Sequence, residues 1–430
     1  MRILLANYRY FVSGGPERYL FGVSEALSSR NHSVIPFSIR YTVNRPSPYS
    51  QYFVEPLGSP DEVYYRDQRR TATTLWRTLT RLFYARDVEQ AVVRVVRDTR
   101  PDIAYILHYL RKLSPSMLVG LKKQGVPIVV RLSDYGMICP EAHCLRDAEP
   151  CELCVRGDLL PSILYRCIQG SSLASLTNAL ATWYHRYRRY FDLIDCFVVT
   201  HPLMFRMMAN AGVTEDRLRY IPTFVDGETY RPLPSTAKRD VVVFTGRLEA
   251  IKGVHVLIEA VKLLSRARPD VSWHFDIAGV GDKEYADTLR HATEEAGLRE
   301  RVQFAGNLDV QDLARLLSGA RIAVVPSLCY ENLPNALLES YASGTPVIAS
   351  ALGSLKDAVV EGETGFLFPP GDAVQLSEKL AHCWDHREEI AQMSAKARRV
   401  AETTYSADAH LHKLLTLFSE LLDRKPIHAG

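Results

Sequence analysis

The chain has 430 residues, of which 47% are hydrophobic and 23% are charged, and its net charge is +3. This length exceeds what one hydrophobic core fills, so we expect two domains of about 200 residues each; the ordinary composition excludes a disordered chain, and the weak charge gives no argument for nucleic-acid binding. No apolar run approaches the ~20 residues that span a bilayer, and the opening run Arg2–Ala6 is too short for a signal peptide. We therefore expect a cytoplasmic protein with mostly reduced cysteines.

Short apolar runs alternate with helical patterns along the whole chain. The strand-like runs are Arg2–Ala6, Ser33–Ser38, Ile103–Leu107, Pro127–Leu132 and Cys196–Thr200 in the first half, and Val241–Thr245, Trp273–Ala278, Arg301–Phe304, Ile322–Val325 and Pro346–Ala349 in the second. Apolar strands between amphipathic helices predict an α/β protein with two doubly wound, Rossmann-like parallel sheets. Such sheets bind ligands at the carboxyl ends of their strands, so we expect the site in the cleft between the domains.

The domain boundaries follow from the Pro-rich segment Tyr230–Ser235, which interrupts this alternation and predicts a linker. We place the N-terminal domain at residues 1–225, with a Cys-rich insertion at 136–170, and the C-terminal domain at 236–405. Residues 406–424 carry an apolar stripe at helical spacing, which predicts a packed terminal helix.

Two adjacent glycines, Gly14 and Gly15, lie between the first strand and the first helix. They let the backbone approach a ligand closely, and the helix start offers unpaired N–H groups to an anion. An ordinary tight turn between strand and helix explains the same residues equally well.

A second loop, Gly246–Gly253, follows the first strand of the second half and carries two cations, Arg247 and Lys252. Arginine can bind two phosphate oxygens at once and lysine acts as a point charge, so the pair suits a diphosphate. The alternative is a solvated loop with surface cations. Gly279 and Gly281 form a glycine turn at a neighbouring strand end, which favours a rim facing a ligand.

The segment Pro326–Glu339 contains two glutamates eight positions apart, Glu331 and Glu339. Pro334 suits the first turn of a helix, so Glu331 is expected in the loop and Glu339 on the helix. A carboxylate accepts two hydroxyl hydrogen bonds, which suits a sugar diol, and the backbone N–H groups of Asn332 and Leu333 are expected to point at the same ligand. Alternatively, Glu331 is a helix-start acid and Glu339 a surface residue.

These motifs resemble those of the retaining glycosyltransferases of family 4 (group 1), which have the two-domain GT-B fold, and the resemblance covers nearly the whole chain. Gly14–Arg18 resembles the family's amino-terminal glycine loop, Gly246–Gly253 its diphosphate loop, and Glu331 with Glu339 its Glu-x7-Glu motif. The resemblance also implies that the last helix crosses back to the first domain.

The resemblance further implies residue roles and a reaction. Arg247 and Lys252 would neutralise the leaving nucleoside diphosphate, Glu339 would bind the ribose hydroxyls and Glu331 would hold the donor sugar. It implies transfer of a hexose from a UDP-, GDP- or ADP-sugar to a carbohydrate or lipid-linked acceptor, with retention and without a metal or other cofactor. The alternatives are a sugar epimerase or phosphorylase of the same fold and a non-catalytic relative that binds a nucleotide sugar.

One position departs from the family pattern. Many relatives carry a histidine where this chain has Ser133, which is followed by Asp134. A serine cannot replace imidazole in proton handling near neutral pH. Asp134, or His108 at the end of a strand, is the candidate for the acceptor side.

Four cysteines lie within sixteen residues, and Cys167 follows soon after them. The Cys-x-x-Cys spacing of Cys151 and Cys154, with Cys139 and Cys144, is compatible with a structural zinc site. The alternatives are reduced buried thiols and a redox-labile pair.

Two segments mix arginines with aromatic and leucine side chains, one between Arg66 and Arg100 and one at Trp183–Tyr190. Such segments can lie peripherally on the anionic inner face of a membrane. A solvated basic helix face is equally compatible with them.

Overall fold

The computed structural model describes residues 1–63, 71–147, 149–234 and 237–424. Three predicted features lie partly outside these residues: the start of the basic segment at Arg66, the Cys-rich insertion at residue 148, and the end of the linker at 235–236.

The first half of the chain contains eight strands and seven helices in its described residues. They are β1 (Arg2–Asn7), α1 (Gly15–Ser28), β2 (Ser33–Phe37), α2 (Ala72–Phe83), α3 (Arg86–Thr99), β3 (Ile103–His108), α4 (Ser116–Lys123), β4 (Ile128–Arg131), β5 (Leu145–Arg146), β6 (Glu149–Pro150), α5 (Leu160–Leu164), α6 (Ser172–Tyr187), β7 (Cys196–Val199), α7 (Pro202–Asn210) and β8 (Leu218–Tyr220). Six strands form a parallel sheet in the order β2-β1-β3-β4-β7-β8, and β5 and β6 form a separate antiparallel hairpin.

The second half has the same alternation of strands and helices. Its elements are β9 (Val241–Thr245), α8 (Val254–Ala267), β10 (His274–Ala278), α9 (Lys283–Glu295), β11 (Val302–Gly306), α10 (Val310–Gly319), β12 (Ile322–Val325), α11 (Asn335–Ala342), β13 (Val347–Ser350), α12 (Gly353–Ala358), β14 (Gly365–Phe368), α13 (Ala373–Asp385), α14 (Arg387–Thr403) and α15 (Ala407–Asp423). The strands β9 to β14 form a parallel sheet in the order β11-β10-β9-β12-β13-β14.

Both faces of each sheet are buried, as the continuous apolar runs predict. In β1, Leu4 packs into the core on one face and Leu5 into the core on the other. All the predicted strands are present within two residues of their predicted ends. The edge strands β8 and β14 were not predicted, because each has only three or four residues: β8 contains an arginine, and β14 begins at a glycine and is followed by two prolines.

The last helix, α15, packs on the first sheet rather than on the second. Leu414 and Phe418 share a core cluster with Ile3 and Leu5 of β1. The buried His410 is 2.8 Å from the Tyr19 hydroxyl and 2.7 Å from the carbonyl oxygen of Pro222. The prediction that this helix crosses back to the N-terminal domain is confirmed.

In each sheet the strand order reverses at one point, between β1 and β3 in the first sheet and between β9 and β12 in the second. At a reversal, the loops after the two central strands leave in opposite directions and open a crevice. These two crevices are where the predicted site residues lie. Among the described residues, no helix combines the length and the apolar character needed to cross a bilayer.

Candidate active site

The two loops at the reversal point of the second sheet pack backbone to backbone. One is Gly246–Gly253 after β9, and the other is Pro326–Pro334 after β12. Gly253 has a φ of 72°, and a Cβ atom there would lie 1.9 Å from the carbonyl oxygen of Pro326, so a side chain is excluded. This close approach fixes the position of Lys252 relative to the second loop.

The glycine turn after β10 supports the first of these loops from behind. A Cβ atom at Gly279 would lie 1.7 Å from the Gly246 carbonyl oxygen, and one at Gly281 would lie 2.1 Å from that of Leu248. Both glycines are therefore needed for backbone packing. They hold the loop that carries the cations, and their own contact with the donor stays a prediction.

Lys252 and Glu331 form a buried ion pair between the two loops, with 2.6 Å between Nζ and Oε1. Ser327, which had not been predicted as a site residue, donates a hydrogen bond to the same oxygen at 2.6 Å. Burial raises the pKa of Glu331, but the charge and hydrogen bond of Lys252 outweigh it and hold this pKa below its usual value. Burial lowers the pKa of Lys252, and the charge of Glu331 more than reverses that effect. Both groups are therefore charged at neutral pH.

Arg247 lies at the mouth of the same loop, with 63% of its side chain exposed, and contacts Glu249 Oε1 at 2.6 Å. An exposed guanidinium next to a fixed ammonium places two positive charges at the carboxyl end of β9. This arrangement suits the binding of a diphosphate.

Glu339 is buried on α11 and pairs across the cleft with Arg18, at 2.9 Å between Nη1 and Oε1. Burial raises the pKa of Glu339, and the charge of Arg18 and a hydrogen bond from Tyr230 offset this only in part. Arg18 was part of the predicted glycine loop but had been given no role. The contact joins residues 321 positions apart, so local sequence patterns could not reveal it.

The N-terminal ends of α1 and α11 face each other across the cleft. A Cβ atom at Gly15 would lie 3.5 Å from Asn335 Nδ2, so the two helix starts are nearly in contact. Within the described residues, neither helix start has a side-chain cap, and α1 follows the extended Gly14. The unpaired N–H groups and positive ends of both helices favour an anion between them.

Of the two predicted backbone donors, Leu333 differs from the prediction, whereas the role of the Asn332 N–H stays a prediction. The side chain of Asn332 links the two halves, since it donates to the Leu132 carbonyl oxygen at 2.9 Å and accepts from Thr200. Leu333 is buried with a φ of 54°, and its N–H donates to Ser354 Oγ at 3.1 Å. The N–H of Leu333 is therefore already paired and does not point at a ligand in this conformation.

His108 and Asp134, the two acceptor-side candidates, are in contact at the reversal point of the first sheet. His108 Nε2 lies 2.7 Å from Asp134 Oδ2. Burial raises the pKa of Asp134, but the charge and hydrogen bond of His108, with the N–H of Gly136, lower it to about 2. The result is a histidine oriented by a carboxylate, an arrangement used for general acid–base chemistry.

Ser133, in contrast, has a structural partner. Its hydroxyl accepts a hydrogen bond from the buried Arg131 at 2.9 Å, and Arg131 also donates to Thr223 at 2.7 Å. Ser133 therefore anchors an arginine, and the imidazole beside Asp134 comes from His108 at the end of β3.

Buried polar atoms without a protein partner gather around His108. Among the described residues they include Asn7 Oδ1, Ser38 Oγ, His108 Nδ1 and the Tyr109 hydroxyl, all at or just beyond the carboxyl ends of β1, β2 and β3. Buried polar groups normally have partners, so such a cluster marks a place where a polar ligand binds.

The predicted zinc ligands lie in an irregular insertion, where all the cysteines are free thiols. Cys139, Cys151 and Cys154 line a cavity of about 20 Å³ together with Cys167. Cys144 is fully buried and is hydrogen-bonded to Cys139, and this bond is the main cause that lowers the pKa of Cys139 to about 6.

The architecture is the GT-B fold, which is shared with solved structures at low sequence identity. The structure is similar to the sucrose-phosphate synthase of Thermosynechococcus elongatus, with a TM-score of 0.70 and 20% identity over 99% of this chain and 100% of that chain. It is also similar to HepE of Anabaena in complex with UDP, with a TM-score of 0.68 and 18% identity over 97% of this chain and 100% of that chain.

Sequence comparison gives a match for much of the second half. Residues 228–400 match the family described as glycosyl transferases group 1. A D-inositol 3-phosphate glycosyltransferase of Corynebacterium glutamicum is 32% identical over 54% of this chain and 58% of its own length. An MMP alpha-(1->4)-mannosyltransferase of Mycolicibacterium hassiacum is 26% identical over 51% of this chain and 52% of its own length. The chain thus spans about half the length of the curated relatives it matches.

Proposed function

We propose that this protein is a glycosyltransferase that moves a hexose from a nucleoside-diphosphate sugar to an acceptor hydroxyl with retention of anomeric configuration, in polysaccharide or glycolipid synthesis. The observation that carries the proposal is the buried Lys252–Glu331 pair at the reversal point of the second sheet. Two findings support the proposal. The pair lies within the segment that matches the group 1 glycosyltransferase family, and the similar structure of Anabaena HepE is a complex with UDP.

On the donor side, the reaction breaks the anomeric C–O bond and leaves negative charge on the diphosphate. Lys252, Arg247 and the facing N-termini of α1 and α11 stabilise that charge from fixed positions, which needs no reorganisation as the bond breaks. These groups replace the divalent cation that other transferases use. Glu339 binds the ribose hydroxyls in exchange for its contact with Arg18, and Glu331 positions the sugar.

On the acceptor side, the hydroxyl nucleophile binds among the unpaired polar atoms at the end of the first sheet. His108, oriented by Asp134, hydrogen-bonds the incoming hydroxyl and fixes its direction of attack. The attack comes from the same face as the leaving group, and a phosphate oxygen of the donor accepts the proton.

A large apolar and basic surface on the first domain fits a lipid-linked acceptor. The helices α2 and α6 contain no acidic residue, and each exposes bulky apolar side chains beside arginines. Trp76 is 68% exposed, Trp183 is 56% exposed, and Trp183 stacks on Tyr187. Such a surface suits an anionic membrane, with aromatic rings at the headgroup level. The other exposed apolar residues of this surface are Leu75, Leu79, Leu160, Leu164, Tyr165, Leu173, Leu176 and Leu180.

A thermal-shift panel of UDP-, GDP- and ADP-sugars tests the donor assignment. A ligand that binds only the folded state raises its melting temperature, so we expect a shift with sugars of one base. The Lys252→Ala variant should lose this shift, whereas Lys262→Ala on the outside of α8 should retain it. If no nucleotide sugar shifts the wild-type protein, the donor assignment is wrong.

Co-sedimentation with vesicles tests the membrane assignment. Vesicles that contain phosphatidylglycerol should bind the protein at low salt and release it at high salt, because the attraction is screened. Replacing Trp76 and Trp183 by serine should abolish binding, and replacing the exposed Val374 of the second domain should not. Equal binding by the double variant would contradict the assignment of this surface.

A further inference from the structure

Four cysteines from separate turns converge on one small cavity in the insertion. Cys139, Cys151, Cys154 and Cys167 line a space of about 20 Å³, which is the size of a single ion or water. The remaining lining residues include no carboxylate and no histidine. Soft sulfur donors in a tetrahedral number select zinc over magnesium or calcium.

We propose that these four thiols bind one structural Zn²⁺, with Cys167 rather than Cys144 as the fourth ligand. Cys144 takes a supporting position: it is fully buried, it does not line this cavity, and its carbonyl oxygen accepts a hydrogen bond from the N–H of Cys151 at 2.7 Å. A hydrogen bond of this kind fixes the turn that carries a metal ligand.

The insertion has little regular structure and no core of its own, although Met137, Ile138, Cys144 and Val155 pack into the core of the first domain. Its regular structure is a hairpin of two-residue strands and the short helix α5, and the hairpin ends where the Cys151 N–H donates to the Cys144 carbonyl oxygen at 2.7 Å. Five of its non-glycine residues have φ values between 50° and 78°: Ala142, Cys144, Asp147, Arg166 and Gln169. Left-handed backbone of this kind persists only where the surroundings fix it, and a small segment without its own core is commonly fixed by a metal.

In this conformation no three of the described cysteine sulfur atoms lie within 4.8 Å of one another, so the cysteine turns have to move closer together to bind one ion. In the described chain, the three potential ligand atoms that lie within 4.8 Å of one another belong to His382, His386 and Glu389, not to the cysteines. That group is partly exposed, and its His382 already pairs with Glu389 at 2.8 Å. The cysteines surround an enclosed space instead, so a bound ion draws their turns inward.

The zinc site also has a consequence for the cleft. Glu152, between Cys151 and Cys154, accepts a hydrogen bond from the Tyr330 hydroxyl at 2.8 Å. Tyr330 directly precedes Glu331, so a metal that fixes the cysteine turns also supports the donor loop from the first domain.

Metal analysis of the full-length protein, purified with a reductant and without a chelator, tests the proposal. We expect about one zinc ion per chain, and replacement by Co²⁺ should give the intense absorption of a tetrahedral thiolate complex. A wild-type protein that neither contains zinc nor takes up Zn²⁺ or Co²⁺ overturns the proposal. The same holds if thiol titration finds these cysteines oxidised to disulfides.

Single variants separate the two possible ligand sets. Cys154→Ser and Cys167→Ser should lose the metal, whereas Cys144→Ser, and Cys383→Ser in the core of the second domain, should retain it. Loss in Cys144→Ser with retention in Cys167→Ser would overturn the assigned set. Because a ligand variant can misfold, chelation of the wild-type protein is the second measurement: its melting temperature should fall and recover on adding Zn²⁺, and an unchanged melting temperature counts against a structural role.

Discussion

On the donor side of the cleft, each charged side chain is held by a partner, whereas on the acceptor side several buried polar atoms of the described residues have none. Lys252 is paired with Glu331 and Arg18 with Glu339, while Asn7 and Tyr109 keep unpaired polar atoms near His108. A site with fixed charges suits one unchanging task, the departure of a diphosphate. A site with unpaired groups is completed by its ligand and rejects molecules that cannot supply the missing partners.

The strongest way to break this comparison is to remove the fixed cation. Lys252→Ala takes away a positioned charge that stabilises the leaving diphosphate, and losses of this kind are on the order of 100- to 1000-fold in kcat. Steady-state kinetics with the donor identified by thermal shift would measure it, with Lys262→Ala as the matched control. A rate within about twofold of wild type would contradict the donor-side account.

A smaller effect is expected from the second glutamate. Glu339→Gln keeps the shape of the side chain but weakens charged hydrogen bonds to the ribose, which are worth about 1.5–3 kcal/mol, so donor affinity should fall roughly 10- to 100-fold. Calorimetric titration with the free nucleoside diphosphate measures this without an acceptor. The exposed Glu388→Gln on α14 should bind normally, and normal binding by Glu339→Gln would show that the ribose lies elsewhere.

The acceptor side should respond differently. His108→Ala should lower kcat by about tenfold or more, because it removes the group that orients the acceptor hydroxyl. Donor affinity should stay the same, since His108 lies at the other sheet. The control is His291→Ala, which changes an exposed histidine in the second domain. A loss of donor affinity in His108→Ala would contradict the separate roles assigned to the two sides of the cleft.

The smallest effect is expected from mild acid, which should lower the stability of the first half at a higher pH than that of the second half. Burial lowers the pKa of His185 and His410 to about 4 and that of His201 to about 3, and all three pack in the first half or against it. Their folded pKa values lie below the unfolded value, so their stabilisation is complete above about pH 6.5 and is lost as the pH falls toward 4. Between pH 7 and pH 6 each histidine should lower the free energy of unfolding by on the order of 0.7 kcal/mol.

Hydrogen exchange read by mass spectrometry would locate this loss. Peptides of the first sheet and α15 should lose protection at a higher pH than peptides of β9 to β14, and His410→Gln should reduce the pH dependence at α15. Loss of protection at the same pH in both halves would contradict the assignment of this effect to the three buried histidines.

The central strands and the loops of the second sheet could be predicted because the sequence patterns that define them lie within a few neighbouring residues. An apolar run predicts a buried strand, and Arg247, Lys252 and Glu331 each lie within a few residues of a strand end. The partners of these residues could not be predicted in the same way. Arg18 meets Glu339 across 321 positions, and Leu333 loses its N–H to Ser354 because the loop takes a left-handed turn there.

The most direct test of the proposed function follows a donor labelled with ¹³C at its anomeric carbon by NMR, with the wild-type protein and a membrane lipid extract as acceptor. We expect the label to appear in a new glycosidic bond with the anomeric configuration of the donor, together with free nucleoside diphosphate. Label that stays on the nucleotide in an isomerised sugar, or that appears as a sugar 1-phosphate, would contradict it.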